Sequence, residues 1–158
     1  VLIASARTAA DLDQIRELFR EYVDRLGIDL AFQGFDAELA QLPGKYAPPR
    51  GHLLLARGNS CEALGCVGLR QLEIPGACEV KRLYVRAAAR GAGVGWALMS
   101  SVVERATALG YRQAMLDTLP WMSSAIAIYR AQGFAPIPPY WDNAVPGILY
   151  FGKRLQPD

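Results

Sequence analysis

Between Leu12 and Leu26 the apolar residues Leu12, Ile15, Leu18, Phe19, Tyr22, Val23 and Leu26 recur at helical spacing with charges between them, predicting a helix with one buried face. Thr8 followed three residues later by Asp11 forms a capping box at its start, and Gly27 supplies a stop. Ahead of it, Leu2 to Ala6 reads as a short strand, and behind it Phe35 to Leu42 as a short second helix. The stretch LPGKYAPPRG (42–51), with three prolines and two glycines, breaks all regularity. Strand-like runs follow at His52 to Arg57, Glu62 to Glu73 and Cys78 to Val85, separated by GNS and PGA at hairpin spacing, which predicts an antiparallel meander. From Gly93 to Leu109 the pattern turns helical again, with Val94, Leu98, Val102 and Ala106 on one face and Gly110 as the stop. A strand over 111–119, a helix over 122–132, a Pro-rich excursion over 133–147 and a last strand over 148–155 complete the chain. The order βααβββαβαβ predicts a three-layer α/β domain, and the strands flanking the helix at 93–109 should be parallel neighbours.

Composition narrows the class without naming it. A chain of 158 residues that is 52% hydrophobic and 20% charged can bury a core without disulfide or metal staples, and one domain over 1–158 is expected. A net charge of +2 on scattered basic residues argues against a nucleic-acid partner. No apolar run reaches the roughly 20 residues that a membrane span needs. Val1 to Ala10 lacks the pattern of a signal peptide. Cys61, Cys66 and Cys78 with the single His52 make a poor zinc ligand set, so no metal is expected and the thiols read as free in a reducing, cytoplasmic setting.

The chemistry concentrates in RGAGVGWAL (90–98), where glycines alternate between a strand and a helix. Such a turn suits an anion, because the helix start offers unpaired N–H groups and the positive end of its dipole. The spacing fails the dinucleotide fingerprint, since Trp96 stands where a third glycine should, and fails the P-loop, since Trp96-Ala97 replace Lys-Ser/Thr. What remains, Arg90-x-x-Gly93-x-Gly95 after the strand end LYV (83–85), resembles the coenzyme A motif of the GCN5-related N-acetyltransferase (GNAT) family. The segment SSAIAIYRAQGF (123–134) is similar to the family's A-x-x-L-Y-x-x-x-G-F, with Ala125, Ile128, Tyr129, Gly133 and Phe134 in register.

That resemblance implies an acyl-CoA N-acyltransferase fold, with a mixed, mostly antiparallel sheet whose central parallel pair splays into a slot for acetyl-CoA as co-substrate. The cofactor contacts it implies are Leu83, Tyr84 and Val85 on the strand, and Arg90, Gly91, Ala92, Gly93, Val94, Gly95 and Trp96 at the turn. Tyr129 matches the family's general acid, and a phenol of pKa about 10 can protonate a leaving thiolate. Glu79 stands where several members carry a catalytic glutamate, with Glu38 and Asp117 as weaker candidates. Met122 departs from the pattern, because many members have a cofactor-contacting Asn there. The irregular segments 28–51 and 136–147 should build the substrate side, with Phe32, Tyr46, Arg50, Tyr140, Trp141 and Asn143 as candidates. Aromatics with Arg50 suit a small polar metabolite carrying an anionic group. The expected reaction is acetyl transfer to a primary amine of a small molecule or peptide by direct attack. The competing reading is a degenerate acyl-CoA sensor without turnover, and exposed edge strands admit a homodimer in either case.

Overall fold

A computed structural model describes residues 1–31 and 34–156 of the chain. Among these residues seven strands form one sheet in the order β1-β2-β3-β4-β5-β7-β6. They are β1 (Leu2–Ser5), β2 (His52–Arg57), β3 (Ala63–Gln71), β4 (Ala77–Val85), β5 (Gln113–Thr118), β6 (Ala135–Pro136) and β7 (Leu149–Arg154). The helices are α1 (Ala9–Leu26), α2 (Phe35–Gln41), α3 (Val94–Ala108) and α4 (Ser123–Ala131). The expected meander is present as antiparallel β2, β3 and β4, and β5 lies parallel to β4. The two-residue β6, paired with β7, arises inside the segment read as a Pro-rich excursion. Among the described residues no helix is long and apolar enough to cross a membrane.

The capping box forms as the spacing requires. Thr8 Oγ1 accepts from the Asp11 N–H at 3.1 Å, Asp11 Oδ2 accepts from the Thr8 N–H at 3.0 Å, and Gly27 closes α1 in the left-handed region. Helix α1 then lays Ile15, Leu18 and Phe19 against one face of the sheet, where α2 adds Phe35 and Leu39. Helix α3 covers the other face with Val94, Leu98, Met99, Val102 and Ala106, joined there by Tyr129 of α4 and Phe151 of β7. The three layers thus enclose two apolar cores separated by the sheet.

Two irregularities of β4 position the site. Its pairing with β3 slips between Tyr84, opposite Cys66, and Lys81, opposite Gly68, so β4 carries an extra residue there. Arg82, at φ +61°, takes the left-handed turn of this bulge. Strand alternation is broken, and Val80 and Leu83 both enter the α3 core while Tyr84 enters the α1 core. Second, β4 pairs with β5 only over Ala77–Glu79 against Gln113–Met115, although β4 runs on to Val85 and β5 to Thr118. Beyond Glu79 the two strands part, as the resemblance implied.

Candidate active site

The parted strands open a slot of about 910 Å³. Its walls include Leu83, Tyr84 and Val85 on β4, Arg90, Gly91, Gly93, Val94, Gly95 and Trp96 at the start of α3, and Met122 to Ala125 and Ile128 around α4. All but one of the expected cofactor residues therefore meet at one place; Ala92 stands in the same turn with its side chain exposed. The glycines there do different work. Gly91 and Gly93 both sit at φ +79°, which an L side chain seldom adopts, and a Cβ on either would meet nothing within 4 Å. Gly95 has an ordinary φ, but a Cβ on it would lie 3.0 Å from Ile128 Cδ1, so it serves the approach of α3 to α4. Gly93 caps α3 with no side-chain hydrogen bond, and the Ala97 N–H is the one that returns to the Gly93 carbonyl. The helix leaves its first-turn N–H groups unpaired at the slot wall, aligned with its positive end, which fits a pyrophosphate.

Arg90, expected to meet a phosphate, donates from Nε to the Val85 carbonyl at 3.0 Å and lies over the Tyr84 ring at 5.9 Å. It ties the strand end to the glycine turn and keeps its outer guanidinium nitrogens at the slot. Met122 occupies the N-cap of α4 and makes no side-chain cap, so the helix start lies open beside Ser123 and Ser124 in the wall. The sequence did not indicate Tyr22, Arg25 and Leu26 of α1, nor Trp121, as slot residues. They reach it because α1 crosses the sheet toward the parted strands, a contact with no local signature.

On the α1 face of the sheet a second cavity, of about 420 Å³, is bounded by α2, the turn at 43–46, β3, β4 and Trp141. Glu79 lies beside it, almost fully buried. Its Oε1 accepts from Arg70 Nε at 2.7 Å with Lys81 Nζ at 3.8 Å, and its Oε2 accepts from the Tyr140 hydroxyl at 2.5 Å. Both Glu79 oxygens are thus engaged by neighbouring side chains. Burial first, and then the Glu79 charge, push the Tyr140 phenol up. Tyr46 lines this cavity but is buried, donating its hydroxyl to Glu38 Oε1 at 3.0 Å, while Arg82 Nε donates to Glu38 Oε2 at 3.0 Å. Burial and the Glu38 charge push the Tyr46 phenol up as well.

Asp117, on the part of β5 that diverges from β4, accepts at Oδ2 from Trp141 Nε1 at 2.7 Å and from Asn143 Nδ2 at 3.1 Å. Its Oδ1 has no hydrogen-bond partner among the described residues. The Asp117 charge acts on Tyr129, Tyr22, Lys81 and Tyr140, and its hydrogen-bond partner Trp141 lines the second cavity. Tyr129 is buried against Phe134 and Phe151 at ring separations of 6.2 and 6.4 Å, and its hydroxyl has no hydrogen-bond partner among the described residues. Burial first, then Tyr22 and Asp117, push its phenol up, so it stays protonated through the neutral range.

One substrate candidate is displaced. Arg50 lies over the Tyr111 ring at 4.4 Å and donates to the Leu109 carbonyl at 3.3 Å, at the entry to β5 and the opposite end from Asp117. Arg70 of β3, paired with Glu79, is the arginine that lines the second cavity. Phe32 lies outside the described residues.

The Acetyltransferase (GNAT) family model matches residues 12–134. An uncharacterized N-acetyltransferase of Schizosaccharomyces pombe is 39% identical over 155 residues, covering 98% of this chain and 95% of its own. A protein named IAA acetyltransferase from Azospirillum brasilense is 36% identical over 112 residues, covering 69% of this chain and 71% of its own. Among solved structures, a GNAT-family acetyltransferase of Staphylococcus aureus shares the fold with a TM-score of 0.80 over 98% of this chain and 99% of that one, at 20% identity.

Proposed function

The chain belongs to the GNAT acetyltransferase family, and on that premise we propose that it transfers an acetyl group from acetyl-CoA to the primary amine of a small molecule or peptide. The observation that carries the reading is the parting of β4 and β5 after three paired positions, beside a left-handed glycine turn that opens α3. Strand-edge amides beyond Glu79 have no β5 partner and must be satisfied by something in the slot, and the amides of a pantetheine arm suit them. The co-substrate supplies the activated acetyl thioester. The chain supplies the rest.

The first-turn amides of α3 hold the diphosphate, and an N–H at the end of β4 near Val85 polarises the thioester carbonyl. Tyr129 keeps the proton that the leaving thiolate requires, in a buried phenol with no competing hydrogen-bond partner among the described residues. The amine attacks directly. Of the carboxylates near the fork, Asp117 alone keeps an oxygen without a hydrogen bond among the described residues, so we assign it, rather than Glu79, to receive the proton the amine sheds. The size of the second cavity, about 420 Å³, favours a small acceptor over a folded protein surface.

Calorimetric titration with acetyl-CoA, followed by CoA release across amines, amino acids and N-terminal peptides, tests the proposal. Saturable binding with turnover is expected. Binding without turnover on any class would replace it with the acyl-CoA sensor, and absence of binding would remove the slot assignment.

A further inference from the structure

The second cavity has an uneven charge. Among the described residues, Lys45, Arg70 and Lys81 line it with one carboxylate, Glu38. Directly behind the wall stand Glu79 and Arg82, and Asp117 reaches the wall through Trp141, so among the described residues four cationic side chains meet three carboxylates. Glu38 is already committed to Arg82 and to the Tyr46 hydroxyl, and Glu79 to Arg70, Lys81 and Tyr140. An ammonium or guanidinium group entering beside Arg70 would meet excess positive charge with Glu38 and Glu79 already engaged and Asp117 set behind Trp141.

Arg70 is held in a particular way. It stands opposite Glu79 in the β3–β4 register, and its Nε is fixed by Glu79 Oε1 at 2.7 Å. Its two terminal nitrogens carry no hydrogen bond among the described residues, and the side chain keeps 24% of its surface exposed at the cavity wall. A guanidinium fixed through Nε presents its terminal N–H groups as a planar fork, a shape that a carboxylate fills with two parallel hydrogen bonds. Beside it, Lys81 Nζ lies 3.8 Å from Glu79 and 6.0 Å from the Trp141 ring centre. Burial lowers the Lys81 ammonium from its ordinary value while Glu79 supports it, and a second anion in the cavity would add to that support.

We infer that this cavity receives the carboxylate of the acceptor, on the terminal nitrogens of Arg70 with Lys81 beside them, so that the substrate class is small primary amines bearing a free carboxylate. The assignment rests on the acetyl-transfer reading and narrows it. Polyamines and other cationic acceptors are disfavoured by the same charges, and a peptide N-terminus lacks the carboxylate beside its amine.

The test follows CoA release from acetyl-CoA by the intact protein with matched acceptors: free amino acids, their primary amides, and simple diamines. The acids should exceed their amides in kcat/KM by about ten-fold or more, the effect of a charge-assisted hydrogen-bond pair. Arg70→Gln should raise KM for the acid and collapse its advantage over the amide. Arg70→Lys, which keeps the charge without the fork, should restore part of it. The comparison within wild-type protein does not depend on either variant folding. Amides or diamines used as well as the acids would overturn the carboxylate assignment and leave acetyl transfer standing. No CoA release from any acceptor would overturn both.

Discussion

Single residues set the chemistry of the slot. The Gly93 conformation, φ +79° with nothing within 4 Å of an added Cβ, makes a side chain there a strain on the backbone and not a steric clash. Gly93→Val should therefore weaken acetyl-CoA binding ten-fold or more by calorimetry while circular dichroism shows a folded protein, because the strained turn withdraws its amides from the slot. Tyr129→Phe retains the packing on Phe134 and Phe151 and removes a hydroxyl that has no hydrogen-bond partner among the described residues. Its kcat should fall on the order of 10²-fold, the usual worth of a positioned acid, with KM for acetyl-CoA and thermal stability little changed. At the other end of the molecule, Asp11 is held below the ordinary carboxylate range, chiefly by the Arg7 N–H, then the Thr8 N–H, with Arg57 contributing. Since its folded value lies under its unfolded one, its contribution to stability is complete above about pH 4 and is lost as pH falls through the folded value. Asp11→Asn should flatten the acid side of the stability curve in denaturant titrations between pH 2 and pH 5 while leaving its slope near neutrality unchanged. Gly93, Tyr129 and Asp11 were picked out because each belongs to a short motif. Arg70 was not, because nothing beside it in the chain indicates that Glu79 will bind its Nε and leave its fork exposed.

Elements follow the hydrophobic periodicity closely, since burial of one helix face or alternate strand positions is a local requirement. The helices and most strands begin and end within two residues of where the pattern places them, and β6 is missed because two residues carry no period. The bulge at Arg82 is also invisible. Gly or Asn usually marks a left-handed position, and here the β3 register imposes it on an arginine. Element contacts likewise explain the glycine at position 68 in β3. A Cβ there would lie 2.8 Å from Tyr46 Cε1, and that ring is buried and held to Glu38 through its hydroxyl. Gly68→Ala should cost about 1–3 kcal/mol in chemical denaturation, the range for overpacking a filled site, and should raise KM for the amine more than for acetyl-CoA because the displaced ring lines the second cavity.

At the scale of the molecule, the sheet separates two cores that share β2, β3 and β4. Leu98 belongs to one and Leu18 to the other, both fully buried. Leu98→Ala and Leu18→Ala should each destabilise by about 2–5 kcal/mol. Each should shift one common transition, with far-UV circular dichroism and tryptophan fluorescence melting together, because neither helix layer can leave without uncovering strands the other needs. Two separable transitions would show that the layers fold independently. Acetyl-CoA at 100 times its Kd should raise stability by about 2.7 kcal/mol if the slot forms only in the folded sheet.

Every element but β6, the element order, the parallel pair and the glycine turn could be read along the chain, because periodicity, capping and left-handed glycines are written over a few neighbouring residues. The sequence also identified most of the slot, since the strand end and the helix start that build it are contiguous over 83–96. Other features arise only when the chain folds. The bulge at Arg82, the placing of Arg50 at the entry to β5 and the engagement of Glu79 by Arg70 and Tyr140 all depend on contacts between residues distant in the chain. Side chains of one charge type look alike in sequence. Their function is set by which opposite charge the fold brings to them and which atoms it leaves unbonded.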